Sequence, residues 1–197
     1  MATLNFLTGN AGKLAEAQTL LSPLGWEIQS FEIDGEIPDV IEPQSDNLTN
    51  VALAKIAQGV ELLASQNRLE ESLLVEDSGL FIDALPEFPG VYSAQVLQSI
   101  GCDGILRLLD AERSAHFLTV AVLWTGEVVE VFIGRCDGQI AMESRGDGGF
   151  GYDPIFIPLA DDDDRTFAEM THEEKSACSH RGRALRALYD YLNENGA

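Results

Sequence analysis

The chain is poor in positive charge: 12 of its 197 residues are Lys or Arg against 33 Asp or Glu, a formal net charge of −21. So negative a field repels DNA, RNA and anionic membranes at long range, which excludes general binding to any of them. An anionic ligand must therefore be gripped locally. Cysteine is scarce as well. Cys102, Cys136 and Cys178 are odd in number, far apart and form no CxxC pair, which argues against a disulfide framework or a zinc knuckle and fits a reducing cytosol. No apolar run approaches the ~20 residues that a membrane-spanning helix needs. The opening MATLNFLTGN has no basic segment ahead of an apolar one, so a soluble, unprocessed, cytoplasmic protein is expected. Internal repeats are absent, and no composition break divides the chain. One domain over residues 1–197 is expected, and a chain of this size can fold as two lobes.

What is present is ordinary for a globular core: 45% hydrophobic and 23% charged residues. Leu4 and Phe6 alternate with polar neighbours as in a strand, and Leu14, Ala17 and Leu21 then recur at helical spacing after Asn10, a favoured helix cap. WEIQSFEI reads as a second strand, the turn-rich DGEIPDVIEPQSDN follows, and LTNVALAKIAQGVELLA is an amphipathic helix. SLLVED is a short buried strand ending in two carboxylates, PEFPGVYSA a loop, and CDGILRLLDAE another helix. AHFLTVAVLWTGEVVEVFIGRCDGQI predicts two long strands joined around Thr125-Gly126-Glu127, a connection too short for a crossover helix. The hairpin makes the sheet mixed. The C-terminal RALRALYDYL is helical, with Leu185, Leu188 and Leu192 as its buried stripe.

Four stretches carry chemistry. In LTGNAGKLAEAQTLL, Gly9 precedes Gly12-Lys13 by only three positions and Leu14 stands where a P-loop has its hydroxyl, so this is not a P-loop. It remains an Asn-capped helix start with a lysine, able to hold a phosphate on its free N–H groups or to serve as a capped turn. Glu76 and Asp77 can hold Mg²⁺ or orient a water, although a regular strand aims only one of two consecutive side chains into a given site. Glu42 is a second ligand by residue type, and a solvated acidic turn is the alternative. In GDGGFGYDP the glycines permit a tight path on which Phe150 and Tyr152 either offer a ring face to a planar base or plug a core. Lys175, Arg181, Arg183 and Arg186 place four of the twelve basic residues within a dozen positions. That concentration points to an anionic ligand or to surface pairing on a helix that a Thr171/Glu174 capping box begins near His172. Together these stretches suggest a metal-dependent enzyme acting on a nucleotide phosphate ester.

TGNAGK, VEDSGLFIDALPEFPGVYSA, GGFGYDPIF and FAEMTHEEKSACSHRGRAL, in this order and spacing, resemble the inosine triphosphate pyrophosphatase family over essentially the whole chain. The resemblance implies an α/β fold with a mixed, elongated central sheet flanked by helices and two lobes around a substrate cleft. It implies Mg²⁺-dependent hydrolysis of ITP, dITP and XTP to the monophosphate and pyrophosphate, by a homodimer; the charge already argues that nucleic acid and membrane are not partners. Carried over by position, Thr8, Gly9, Asn10, Ala11, Gly12 and Lys13 resemble the triphosphate loop, and Ser78 and Lys175 further phosphate contacts. Asp77 resembles the general base and a metal ligand, and Glu42 the other acidic ligand. Phe150, Gly151, Tyr152, Asp153, His180 and Arg181 match the base-recognition segments. Two departures stand out. Many members carry Glu-Asn-Ala and then a lysine on the second helix; here Thr49-Asn50-Val51 stand there and Lys55 comes one position late, so Lys55 receives no role. Glu76 replaces the first of two aspartates.

Overall fold

The computed structural model describes residues 2–195. Strand β1 (Ala2–Phe6) leads through a short turn into helix α1 (Ala11–Leu21), whose N-cap is Asn10; its Oδ1 accepts from the Lys13 N–H at 3.1 Å. A single 3₁₀ turn closes on Gly25 at φ +80°, a left-handed conformation that suits glycine, and strand β2 (Trp26–Ser30) follows. Helix α2 (Leu48–Ser65) is capped by Asn47, which accepts from Thr49 N and Asn50 N. After it come strands β3 (Ser72–Ile82) and β4 (Leu85–Gly90), then helix α3 (Ser93–Leu108), broken at Gly101, whose φ is +64°. Strands β5 (Ser114–Trp124) and β6 (Val129–Ile140) form the expected hairpin, with Gly126 at φ +100° in the turn. Strand β7 (Phe156–Pro158), helix α4 (His172–Cys178) and helix α5 (His180–Asn195) complete the chain.

The sheet has seven strands in the order β2-β1-β3-β5-β6-β7, with β4 on β3. It is mixed, as the hairpin required: β1 lies parallel to β2 and β3, while β3 and β4, and β6 and β7, are antiparallel. Three expectations about elements need correction. Strand β3 does not stop at Asp77 but continues to Ile82. The loop expected at PEFPGVYSA contains β4, and α3 begins nine residues before Cys102, at Ser93. Among the described residues no helix is long and apolar enough to cross a membrane.

The described residues fall into two compact units. The first comprises residues 2–77, 120–133 and 184–195. Its core joins Leu4 and Phe6 of β1, Ala17 and Leu21 of α1, Leu74, Leu123 and the α5 stripe Leu185, Leu188 and Leu192. The second comprises residues 78–119 and 134–183. Its core is aromatic, with Phe117, Tyr152, Phe156 and Phe167 around Leu80, Ile82 and Ile105. Burying each such side chain contributes roughly 1.5–3 kcal/mol. The chain passes from unit to unit after Asp77 in β3, after Thr119 in β5, after Ile133 in β6 and after Arg183 in α5.

Candidate active site

In the first unit the charged side chains of four separate segments meet. The Asn10 cap fixes the start of α1, and Thr8 Oγ1 accepts from Asn10 N at 3.1 Å, so residues 8–13 form an ordered βα turn. A Cβ at Gly9 would meet nothing of the protein; the space beside the turn is open. Lys13 reaches from this turn to β3. Its Nζ lies 3.4 Å from Glu76 Oε2 and donates to the Glu76 carbonyl at 3.2 Å. Glu76 is 4% exposed, so its charge is held by an ammonium rather than by water.

Asp77, the next residue along β3, is served by a different lysine. Lys55 Nζ, from α2, lies 3.5 Å from Asp77 Oδ2 and 2.5 Å from Glu42 Oε1. Burial pushes the Asp77 carboxyl above the ordinary carboxylate range, and the pull of Lys55 and Lys13 only partly offsets it. For Lys55, burial acts to lower the ammonium, but Asp77 and Glu42 outweigh it and hold it above its usual value. The same pairing that raises the lysine draws the Asp77 carboxyl down, but less than burial raises it. Lys55, given no role by position, is thus part of the cluster. A one-residue shift on a helix turns a side chain by about 100°, and the motif's offset concealed that Lys55 faces the carboxylates. The two carboxylates converge on one cation, and hard oxygen donors of this kind suit Mg²⁺, which commonly takes one or two protein carboxylates and completes its shell with phosphate oxygens and water. Among the described residues no group of three or more acidic, His or Cys side chains forms a complete protein cage. The donor set fits a metal shared with a phosphorylated substrate.

The second unit carries the other predicted residues. Ser78 Oγ is 2.8 Å from Thr119 Oγ1, and Arg181 donates to Ser78 Oγ at 3.2 Å. Thr119 is fully buried on β5, and an isolated threonine in an apolar strand gave no sequence signal of this contact. Asp153 Oδ2 accepts from Lys175 Nζ at 2.6 Å and from Phe150 N at 2.7 Å, so one buried carboxylate fixes both the lysine and the glycine loop. Gly149 is required there: its φ is +71°, and a Cβ would lie 2.1 Å from Asp153 Oδ2. Lys175 Nζ stands 4.7 Å and Arg181 Cζ 5.3 Å from the centre of the Phe150 ring, which keeps that ring in a cationic setting. His180 is buried and stacks on Phe117 at 4.4 Å between centroids.

Tyr152 is placed differently. Its ring is 4% exposed in the aromatic core and its hydroxyl donates to the Ser93 carbonyl at 2.8 Å. Of the two aromatic residues, Phe150 alone is surface-accessible, and Tyr152 acts as the core plug. Gly151 turns the chain between them at φ +70°. The four basic residues also divide: Lys175 and Arg181 are buried in this cluster, Arg183 is exposed and donates to the Arg135 carbonyl, and Arg186 is half-buried on α5.

A profile of the Ham1 family matches residues 4–191. A dITP/XTP pyrophosphatase of Thermococcus kodakarensis is 49% identical over 194 residues, covering 98% of both chains. One from Pyrococcus horikoshii is 41% identical over 192 residues, 96% of both. Among solved structures, a HAM1 protein from Coxiella burnetii superposes with a TM-score of 0.83 at 32% identity, covering 98% of this chain and all of that one. The Ham1 protein of Staphylococcus aureus gives 0.80 at 26% identity, covering 98% and 99%.

Proposed function

The chain belongs to the Ham1 family, and from that membership and its two side-chain clusters we infer that it is a nucleoside triphosphate pyrophosphatase acting on dITP, XTP and ITP. The observation that carries the reading is the convergence of Glu42 and Asp77 on one cation beside a helix start that bears Lys13. The reaction is hydrolysis between the α and β phosphates to a monophosphate and pyrophosphate, which removes deaminated purine nucleotides before they enter nucleic acid.

Glu42 and Asp77 are the residues that would hold Mg²⁺. Held there, Mg²⁺ would supply charge neutralisation for the phosphates and for the departing pyrophosphate. The chain's own groups do the rest. Residues 8–13 offer backbone N–H groups and the positive end of α1 to the phosphates, with Lys13 adding a point charge. Asp77, a carboxylate whose proton affinity burial has raised, accepts a proton from the attacking water. Ser78 and Lys175 contact phosphate oxygens, and the residues around Phe150 with His180 and Arg181 receive the base. Arg181 only donates hydrogen bonds, so it favours a 6-oxo group over the amine of adenine and would leave a buried donor unpaired beside ATP, on the order of 1–3 kcal/mol. We assign the protein to the cytoplasm, as a homodimer whose mass sedimentation would report.

The test is product analysis with ITP and, separately, ATP, with and without Mg²⁺. IMP plus pyrophosphate from ITP alone, dependent on the metal, is the expected result. IDP plus phosphate would mean cleavage at the γ position and would overturn the reading, as would turnover of ATP at an equal rate.

A further inference from the structure

We propose that Gln58 is a positioning residue for Glu42, clamping the main chain immediately before it so that its carboxylate is presented to the divalent cation. The inference rests on the assignment of Glu42 as a carboxylate that holds that ion.

Glu42 sits in an unusual place for such a ligand. Between β2 and α2 there is no helix or strand, only an isolated bridge between Ile33 and Glu36. Residues 41–44 are exposed, and Ile41 has 80% of its surface in water, so burial does not fix this stretch. Holding an exposed residue in one conformation costs roughly 1–2 kcal/mol of backbone entropy and needs a compensating contact.

Gln58 supplies one. Its Oε1 accepts from Ile41 N at 2.8 Å, and its Nε2 donates to Ile41 O at 2.8 Å and to Ala54 O at 3.0 Å. Both amide hydrogens and one lone pair are thereby used. The reversed amide would set an oxygen against two carbonyls and an NH₂ against an N–H, so the orientation is determined by its partners. The bond to Ala54, one turn back on the same helix, also anchors the amide to α2 itself.

The clamp acts together with Lys55. Residues 55 and 58 are three apart on α2 and therefore neighbours on one helix face. Gln58 holds the backbone of residue 41, and Lys55 holds the carboxylate of residue 42. Helix α2 thus fixes both ends of the short path from main chain to ligand oxygen. Lys55 can be displaced from its carboxylates by an incoming cation, whereas the Gln58 clamp contacts only main chain and persists. Glu42 consequently stays near the site when its ammonium partner leaves.

Gln58→Leu keeps the size of the side chain and removes all three bonds. Gln58→Glu keeps an acceptor for Ile41 N but at neutral pH cannot donate to Ile41 O. Four quantities are measured on the full chain: Mn²⁺ affinity without nucleotide by calorimetry, the half-saturating Mg²⁺ concentration and kcat for ITP hydrolysis, and hydrogen exchange at the Ile41 amide. Gln58→Leu is expected to weaken Mn²⁺ binding and raise the half-saturating Mg²⁺ by about tenfold, the usual scale for a partner that orients a metal ligand, with a much smaller change in kcat at saturating metal. Ile41 exchange accelerates, Gln58→Glu lies between, and the metal effect disappears in a Glu42→Gln background. If Glu42→Gln weakens Mn²⁺ but neither Gln58 variant does, the clamp is only structural and the proposal is overturned. If Glu42→Gln itself leaves Mn²⁺ affinity unchanged, the assignment of Glu42 fails and the role of Gln58 with it.

Discussion

In the proposed reaction Asp77 is the general base, and it is also costly to hold. Burial opposes its charge more than Lys55 and Lys13 support it. Asp77→Asn should therefore lower ITP turnover by at least about 10²-fold, as loss of a general base does, without lowering the melting temperature. Steady-state assay beside a thermal melt checks both halves. Lys175 behaves in the opposite way. Its ammonium and the Asp153 carboxylate are both almost wholly buried and 2.6 Å apart, so Lys175→Met leaves a buried charge unpaired. The expected loss is about 3–5 kcal/mol, measured by denaturant unfolding, and Lys175→Met/Asp153→Asn should recover part of it. Each stretch alone had an ordinary structural alternative, and the residue types in both clusters became legible only through their shared order and spacing, which resemble one family. Pairings did not. That Glu76 goes to Lys13 while Asp77 goes to Lys55 depends on which helix face turns toward β3, and a single offset at Lys55 was enough to conceal it.

Elements announced themselves where local chemistry decides them. Asn10 caps α1, Thr171 and Glu174 form their capping box, and Gly126 makes the β5/β6 turn. Where tertiary contact decides, the sequence misled. Ser78-Gly79 reads as a turn, yet β3 runs straight through it, and the glycine serves another purpose: a Cβ there would lie 2.4 Å from the Gly90 carbonyl. It marks the close approach of β4, whose two prolines had argued against a strand at all. Gly79→Ala should thus push β4 off β3 and destabilise the protein, whereas the open site at Gly9 tolerates alanine sterically. Comparing the melting temperatures of the two variants tests this. At the other side of the first unit, a polar network ties β1 to β3. Arg68 makes two 2.8 Å bonds to Glu71, and Asn5 donates to the same carboxylate at 2.9 Å. The bonds from Arg68 hold the Glu71 carboxyl below its ordinary value. Its stabilising contribution is present above the unfolded carboxylate range and is lost as pH falls through the lowered folded value. Relative to wild type, Glu71→Gln should be less stable at neutral pH and lose the difference below about pH 4. Because the pair is only half-buried, solvent screens it and the effect is small.

On the scale of the molecule the dominant quantity is the net charge of −21. Self-repulsion at that density opposes the folded state and is screened by salt, with a Debye length of about 8 Å at physiological ionic strength. The melting temperature should rise with added NaCl at neutral pH and rise less at pH 5, where part of the acidic charge is lost; a salt series by scanning calorimetry reads both. One cooperative transition is expected in each scan, because the chain crosses between its two units inside β3, β5, β6 and α5. The composition announced this acidity at once; two lobes were expected from chain length and from the resemblance, but no linker or compositional break marks where the two units divide. All four passages between the units lie inside β3, β5, β6 and α5 rather than in loops. Neither unit is a contiguous stretch of chain, so no recombination event that cuts and joins a gene once could lend either unit whole to another protein. The two halves are inherited together or lost together.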